Sequence, residues 1–207
     1  IFMTYWGLFN LMSCQAQVAI DDISNAPKVI PSDKKLADVF KPLDGAWVGK
    51  FYIYLDEFGQ SSENPKPKNF DKEIFKKPSL KLQRVVEVQQ KYISESPYFQ
   101  RVTINDTYGD ERGVKKGVTS YGVNKVQDGK LWCVIVKPDE KVIHSGSTEG
   151  EQTIVWQRNI RKPLKIEYFK ETVLDDEYTI SGWGYYGDDD PDLSPRYWFH
   201  GIYKRKE

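Results

Sequence analysis

The stretch Asp44–Tyr54 (DGAWVGKFYIY) decides the fold. From Ala46 onward its residues alternate: Trp47, Gly49, Phe51 and Ile53 fall on one face, Val48, Lys50, Tyr52 and Tyr54 on the other. A period of two marks a strand with one face turned inward. Gly45 can take a positive φ where the chain turns into that strand. Trp47 is a large apolar plug whose single N–H needs an acceptor once it is buried.

Downstream, short runs of the same period recur. Leu80, Leu82, Val86 and Val88 alternate, with Arg84 on their face. Tyr92–Tyr108 reads as a further strand broken near Pro97. Val114–Val126 reads as one bent strand or a pair, kinked at Gly117 and Gly122. Gln127-Asp128-Gly129 is a hairpin turn, because Asp-Gly tolerates positive φ. Leu131–Val136 (LWCVIV) is apolar on both faces, so it is buried on two sides or covered from outside the sheet. Lys141–Ser145 and Gln152–Arg158 form the next hairpin, and Leu164, Ile166 and Tyr168 alternate against Lys165, Glu167 and Phe169. Tyr178–Tyr186, coiled at Gly182 and Gly184, and Arg196–Lys204 complete the series. That makes about eight to ten short strands with turn signals between them and no alternation with helices. Sequential hairpins favour an up-and-down barrel. The fold class expected is therefore all-β, an antiparallel barrel filling 42–207 as a single domain. Gly59–Lys77 is a long polar connection, to be read as a surface insertion or as a lid.

Gly45-Ala46-Trp47 at the head of the first strand, with this layout behind it, resembles the lipocalin-like (calycin) barrels. The resemblance implies that Trp47 closes one end of the barrel and that a small apolar or amphipathic molecule binds inside. Trp47, Trp156 and Trp198 are then candidates for the ends or walls of the cavity. Arg84 lies among apolar residues of one face, and Arg158 shares a face with Ile154, Trp156 and Ile160. An unpaired buried guanidinium is costly, so each must meet a protein acid or a ligand carboxylate, which Arg can grip bidentately. Both are candidate ligand anchors.

The amino terminus carries a different message. Ile1–Met12 (IFMTYWGLFNLM) is almost wholly apolar, too short for a membrane-spanning helix and suited to the core of an export signal. Leu11-Met12-Ser13-Cys14 resembles the lipobox of bacterial lipoproteins, which implies acylation of Cys14 and a location in the periplasm or at the outer membrane. A cut after Gln17 would instead give plain secretion. Residues 1–17 are read as the signal remnant. Residues 18–41 are read as a tether, with a short helix from Ser32 or Asp33 to Phe40. The 207 residues carry 30 Lys and Arg against 30 Asp and Glu, a balance that argues against wrapping nucleic acid by bulk charge. The membrane is expected as a partner only through the lipid anchor, and the sequence assigns no oligomeric state.

Chemical motifs are few. Asp188, Asp190 and Asp192 could wrap Ca²⁺, but the run lacks the central glycine and distal glutamate of an EF-hand loop. His144 and His200 are the two histidines. His200, on the last strand, resembles in placement the haem ligand of the nitrobindin barrels, which would make haem its cofactor. Cys133 reads as a packed thiol. The chain contains no nucleophile elbow, P-loop, zincin or CxxC motif, so an enzyme has no positive support. The alternatives to interior binding are a surface module for carbohydrate or a partner protein, and, further off, a barrel-type isomerase or cyclase.

Overall fold

Period-two alternation builds ten strands, seen in a computed structural model that describes residues 18–63, 66, 72–109 and 113–206. Residues 1–17, read from the sequence as an export signal with a lipobox at Cys14, lie outside the described residues. The strands are β1 (Gly45–Asp56), β2 (Leu80–Ser96), β3 (Phe99–Gly109), β4 (Lys115–Gln127) and β5 (Lys130–Val136), then β6 (Lys141–Thr148), β7 (Thr153–Arg161), β8 (Leu164–Leu174), β9 (Glu177–Gly187) and β10 (Tyr197–Arg205). Each pairs antiparallel with its neighbours in sequence, and β10 returns to β1, closing the barrel. The expected all-β up-and-down barrel is what forms.

Alternation sets the wall. Along β2, Val88, Gln90 and Tyr92 are buried and Gln89 and Lys91 are exposed. The strand does not stop before Tyr92 as the sequence suggested. It runs on to Ser96 and turns at Pro97-Tyr98 into β3, with a register shift between Ser94 and Ser96. The Asp-Gly turn forms between β4 and β5, with Asp128 and Gly129 both at positive φ (56° and 71°). Val114–Val126 is one strand, not a pair.

One end of the barrel is closed by the chain just ahead of β1. In place of a single helix to Phe40, two short 3-10 turns form, Pro31–Leu36 and Lys41–Leu43. They deliver Phe40 and Leu43 into the core, with Phe40 stacked over Trp156. Asp33, fully buried, accepts hydrogen bonds from the Ile30 and Gly129 amides and ties this plug to the β4–β5 turn. Gln100 donates to the Phe40 carbonyl and to Asp44, and Asn124 donates to Gln100, so buried amides on the wall hold the plug in register.

Residues 18–30 are not a free tether. They lie along the outside of β3, β4 and β5, where Ile23 covers Phe99, Val123 and Val134. The Lys125 amine, beneath this strap, donates to the carbonyls of Ala19 and Asp22, and Arg101 reaches those of Ile23 and Ser24. This cover explains why Leu131–Val136 is apolar on both faces: Leu131, Cys133 and Ile135 face the interior, while Val134 packs under the strap. The described residues of the β1–β2 connection likewise fold down the outer wall and not across the mouth. Phe75 packs against Tyr54 and His200, and Lys66 sits over the rings of Trp183 and Tyr185.

Candidate functional site

The interior holds a cavity of about 330 Å³. Its wall is mostly apolar, including Phe51, Val88, Val102, Ile104, Ile135 and Phe169. Beneath the floor of the cavity lies Trp47. It is fully buried, its Nε1 donates to the Leu43 carbonyl at 2.7 Å, and the Arg205 guanidinium lies 4.2 Å from its ring centre. At the opposite end the lining residues Ile53 and Val86 are partly exposed and Lys137 is exposed, so the cavity meets solvent there.

Glycine seats the deep wall. Trp156 on β7 lies against Gly146 on β6, where a Cβ would come within 2.5 Å of the indole ring. The indole N–H is thereby aimed at Glu171 Oε2, 2.6 Å away, while the Tyr178 hydroxyl donates to Oε1 at 2.5 Å. Tyr92 donates in turn to Gln90. Burial raises the Glu171 carboxyl above its ordinary range, against the pull of the Trp156 and Tyr178 donors. The Cys133 thiol nearby is pushed far up by burial and by the Glu171 charge, in keeping with a packed, inert thiol.

Toward the mouth a charged network spans β6, β7 and β8. His144 Nε2 lies 2.9 Å from Glu167 Oε2, Tyr186 donates to Glu167 Oε1, and Arg158 reaches both Glu140 (2.6 Å) and Glu167 (3.6 Å). Lys165 also binds Glu140. Burial alone would raise Glu167. The His144 and Tyr186 hydrogen bonds and the positive charges of His144 and Arg158 outweigh it and bring the carboxyl from 4.5 down to about 2. A carboxyl depressed by folding contributes stability above its ordinary range and loses it as pH falls. The window here runs from about 4.5 to about 2. Urea unfolding across pH should therefore show the stability gap between wild type and Glu167→Gln shrinking by roughly 3 kcal/mol over that window. A gap that stays constant would refute the assignment.

The candidates read from sequence divide. Trp156 lines the cavity wall, whereas Trp47 lies beneath the cavity, in the closed end of the barrel. Arg158 is inward and buried as expected, but protein acids hold it; its Nε is buried without a hydrogen-bond partner. Arg84 is corrected: it shares the inward face of Val86 and Val88, but it is exposed and stacks on Tyr108. Its end of β2 pairs with Ile53 of β1 but has run past the last β3 pairing, Glu87 with Thr107, so the wall is open on that side and the guanidinium reaches solvent. Trp198 and His200 do share a face, but it is the outer one. The opposite set on β10 is inward: Phe199 stacks on Phe51, and Tyr203 lines the cavity. Trp198 is buried from outside, donating to the Pro195 carbonyl, and His200 Nδ1 bonds Ser181 Oγ. His200 is therefore not placed to ligate a haem in the interior. Asp188, Asp190 and Asp192 are exposed, and Asp190 accepts from the Asp192 amide in a local turn. Among the described residues no three His, Cys, Asp or Glu side chains gather as a metal site.

The sequence reading missed Asp106, His144, Glu167 and Glu171. The signal was there on β8: Glu167, Phe169, Glu171 and Val173 are one period-two set, and two acids in an inward set announce buried chemistry.

No family model and no curated protein matches the chain. Solved structures that resemble it include a redesigned β-barrel, b11L5F_LGL, and EF1p2_mFAP2b bound to DFHBI. The first is 12% identical, with a TM-score of 0.37 over 83% of this chain and 98% of that one. The second is 12% identical, with a TM-score of 0.36 over 83% of this chain and 99% of that one. Likeness this remote carries no argument about what the chain binds.

Proposed function

We propose that the barrel binds a small apolar or amphipathic molecule in its interior, as the lipocalin-like barrels resembled by Gly45-Ala46-Trp47 do. The observation that carries this reading is the cavity of about 330 Å³ with apolar walls and a few inward polar groups. Ligand sites in barrels have this character: apolar lining for affinity, sparse polar groups for orientation. The surface-module alternative asked for a solidly packed barrel, and the cavity weighs against it. Catalysis is not part of the proposal. Export and acylation at Cys14 belong to it, supported by the apolar run Ile1–Met12 and by Ser13 ahead of the cysteine.

Titration with retinol and with decanol tests the interior site. Saturable binding by calorimetry is expected for at least one of them, with a change in Trp emission, since Trp156 lines the wall. A folded protein that binds neither would overturn the reading.

A further inference from the structure

Resting on that reading, we infer that the interior selects a ligand with a protonated amine, held by Asp106 with Ser120 beside it. Asp106 on β3 and Ser120 on β4 both line the cavity. They are diagonal neighbours on the inner face, since Ser120 pairs with Ile104 and Val118 with Asp106. Ser120 is 1% exposed, and its hydroxyl has no hydrogen-bond partner. Asp106 is partly buried among Val88, Ile104 and Tyr203 in the lining, with no hydrogen bond or ion pair among the described residues. A buried hydroxyl and a half-buried carboxyl left open on one patch are costly unless something meets them. An ammonium meets both: it carries three donors and a charge, and it needs oxygen acceptors.

The other charged groups near the interior do not compete for this role. Both Glu171 oxygens already accept, from Trp156 and Tyr178. The cations on the far wall are spoken for: Arg158 and Lys165 bind Glu140, and Glu167 takes His144 and Arg158. Lys137 lines the mouth but is exposed, and it makes no ion pair with Asp106. A ligand carboxylate would therefore find Asp106 and Glu171 facing it, with only a solvated lysine in return. Burial raises Asp106 and the Lys137 charge draws it back down; an incoming ammonium adds to that second pull. The apolar lining takes the rest of the molecule, so the class is a small amphipathic amine.

Calorimetric titration with decylamine, decanol and decanoate near neutral pH tests this on the intact protein. Decylamine should bind about tenfold tighter than decanol or better, the worth of a hydrogen bond to a charged group, with decanoate the weakest. Asp106→Asn should bring decylamine to within about twofold of decanol, leaving decanol binding in place, and Ser120→Ala should remove a smaller share. Decanoate binding as tightly as decylamine, or an amine preference that survives in Asp106→Asn, overturns the inference. Decanol binding without any amine preference overturns it too, while leaving interior binding intact; no binding by any of the three overturns the inference, and interior binding with it where retinol does not bind either. The wild-type ranking decides by itself should Asp106→Asn fail to fold.

Discussion

Trp47→Ala destabilises the protein by about 3–5 kcal/mol, the cost of emptying a large aromatic site in a core. For a chain of this size that is a fall of roughly 10 °C in Tm. Trp47 has no exposed surface, packs edge-on against Tyr178 and carries Arg205 on its outer side. Its N–H holds the Leu43 carbonyl, so truncation also frees an acceptor of the plug. The plug then loses its joint with β1, and Phe40 loses its fixed seat over Trp156. Urea unfolding followed by circular dichroism measures the loss. A stability within about 1 kcal/mol of wild type would mean that the floor is held by the Asp44–Gln100 contacts and not by the indole.

Arg158→Met destabilises by about 3 kcal/mol near neutral pH. The guanidinium is nearly sealed from solvent and shares two carboxylates, so its removal leaves negative charge in a poorly solvated place. The loss falls at the lower end for a broken buried pair because Lys165 stays on Glu140, and His144 and Tyr186 stay on Glu167. Adding Glu140→Gln to Arg158→Met should recover part of the loss, since one orphaned charge goes with it. This is a stability effect: the arginine expected from sequence to grip a ligand acid is already gripped by the protein's own. Equal stability of Arg158→Met and wild type would show that Lys165 and His144 suffice alone.

How far the sequence could be read depends on what alternation encodes. Period two in Trp47–Ile53 and in Val86 and Val88 assigned residues to faces correctly, and Asp128-Gly129 marked its turn by chemistry that few other residue pairs supply. Alternation does not say which face is inside. On β10 the set Trp198, His200 and Ile202 looks at least as core-like as Tyr197, Phe199, Gly201 and Tyr203. It faces out because a segment some 120 residues earlier brings Phe75 onto His200. The strap is the same lesson in reverse. Polar, proline-bearing residues 18–30 read as linker, yet their carbonyls are the acceptors that Lys125 and Arg101 need on the outer wall. Arg84 failed for a reason of extent: the face was right, but strands around a tilted barrel end at different heights. Of the candidate site, Trp156 and Arg158 were legible, and Glu171 left its trace in the acid pair of β8; Asp106 was not, since a lone acid in an alternating strand looks the same whether it meets water or a cavity.

The closure of β10 onto β1 has a consequence for how the chain folds. Nine of the ten seams join strands adjacent in sequence, most of them across short turns and β1–β2 across the longer connection 57–79. The tenth pairs Trp47 with Arg205 and so spans nearly the whole domain. Its search belongs late, after the meander has curled enough to bring its ends together, and its loop-closure entropy sets it apart from every other seam. The contacts that fasten this seam are those of the floor: Arg205 reaches the carbonyl of Asp44 and lies over Trp47, and the Lys206 amide bonds the Ala46 carbonyl. The residues that shut the end of the barrel are thus also its clasp, and a lesion among them should slow the last step of assembly as well as loosen the finished wall.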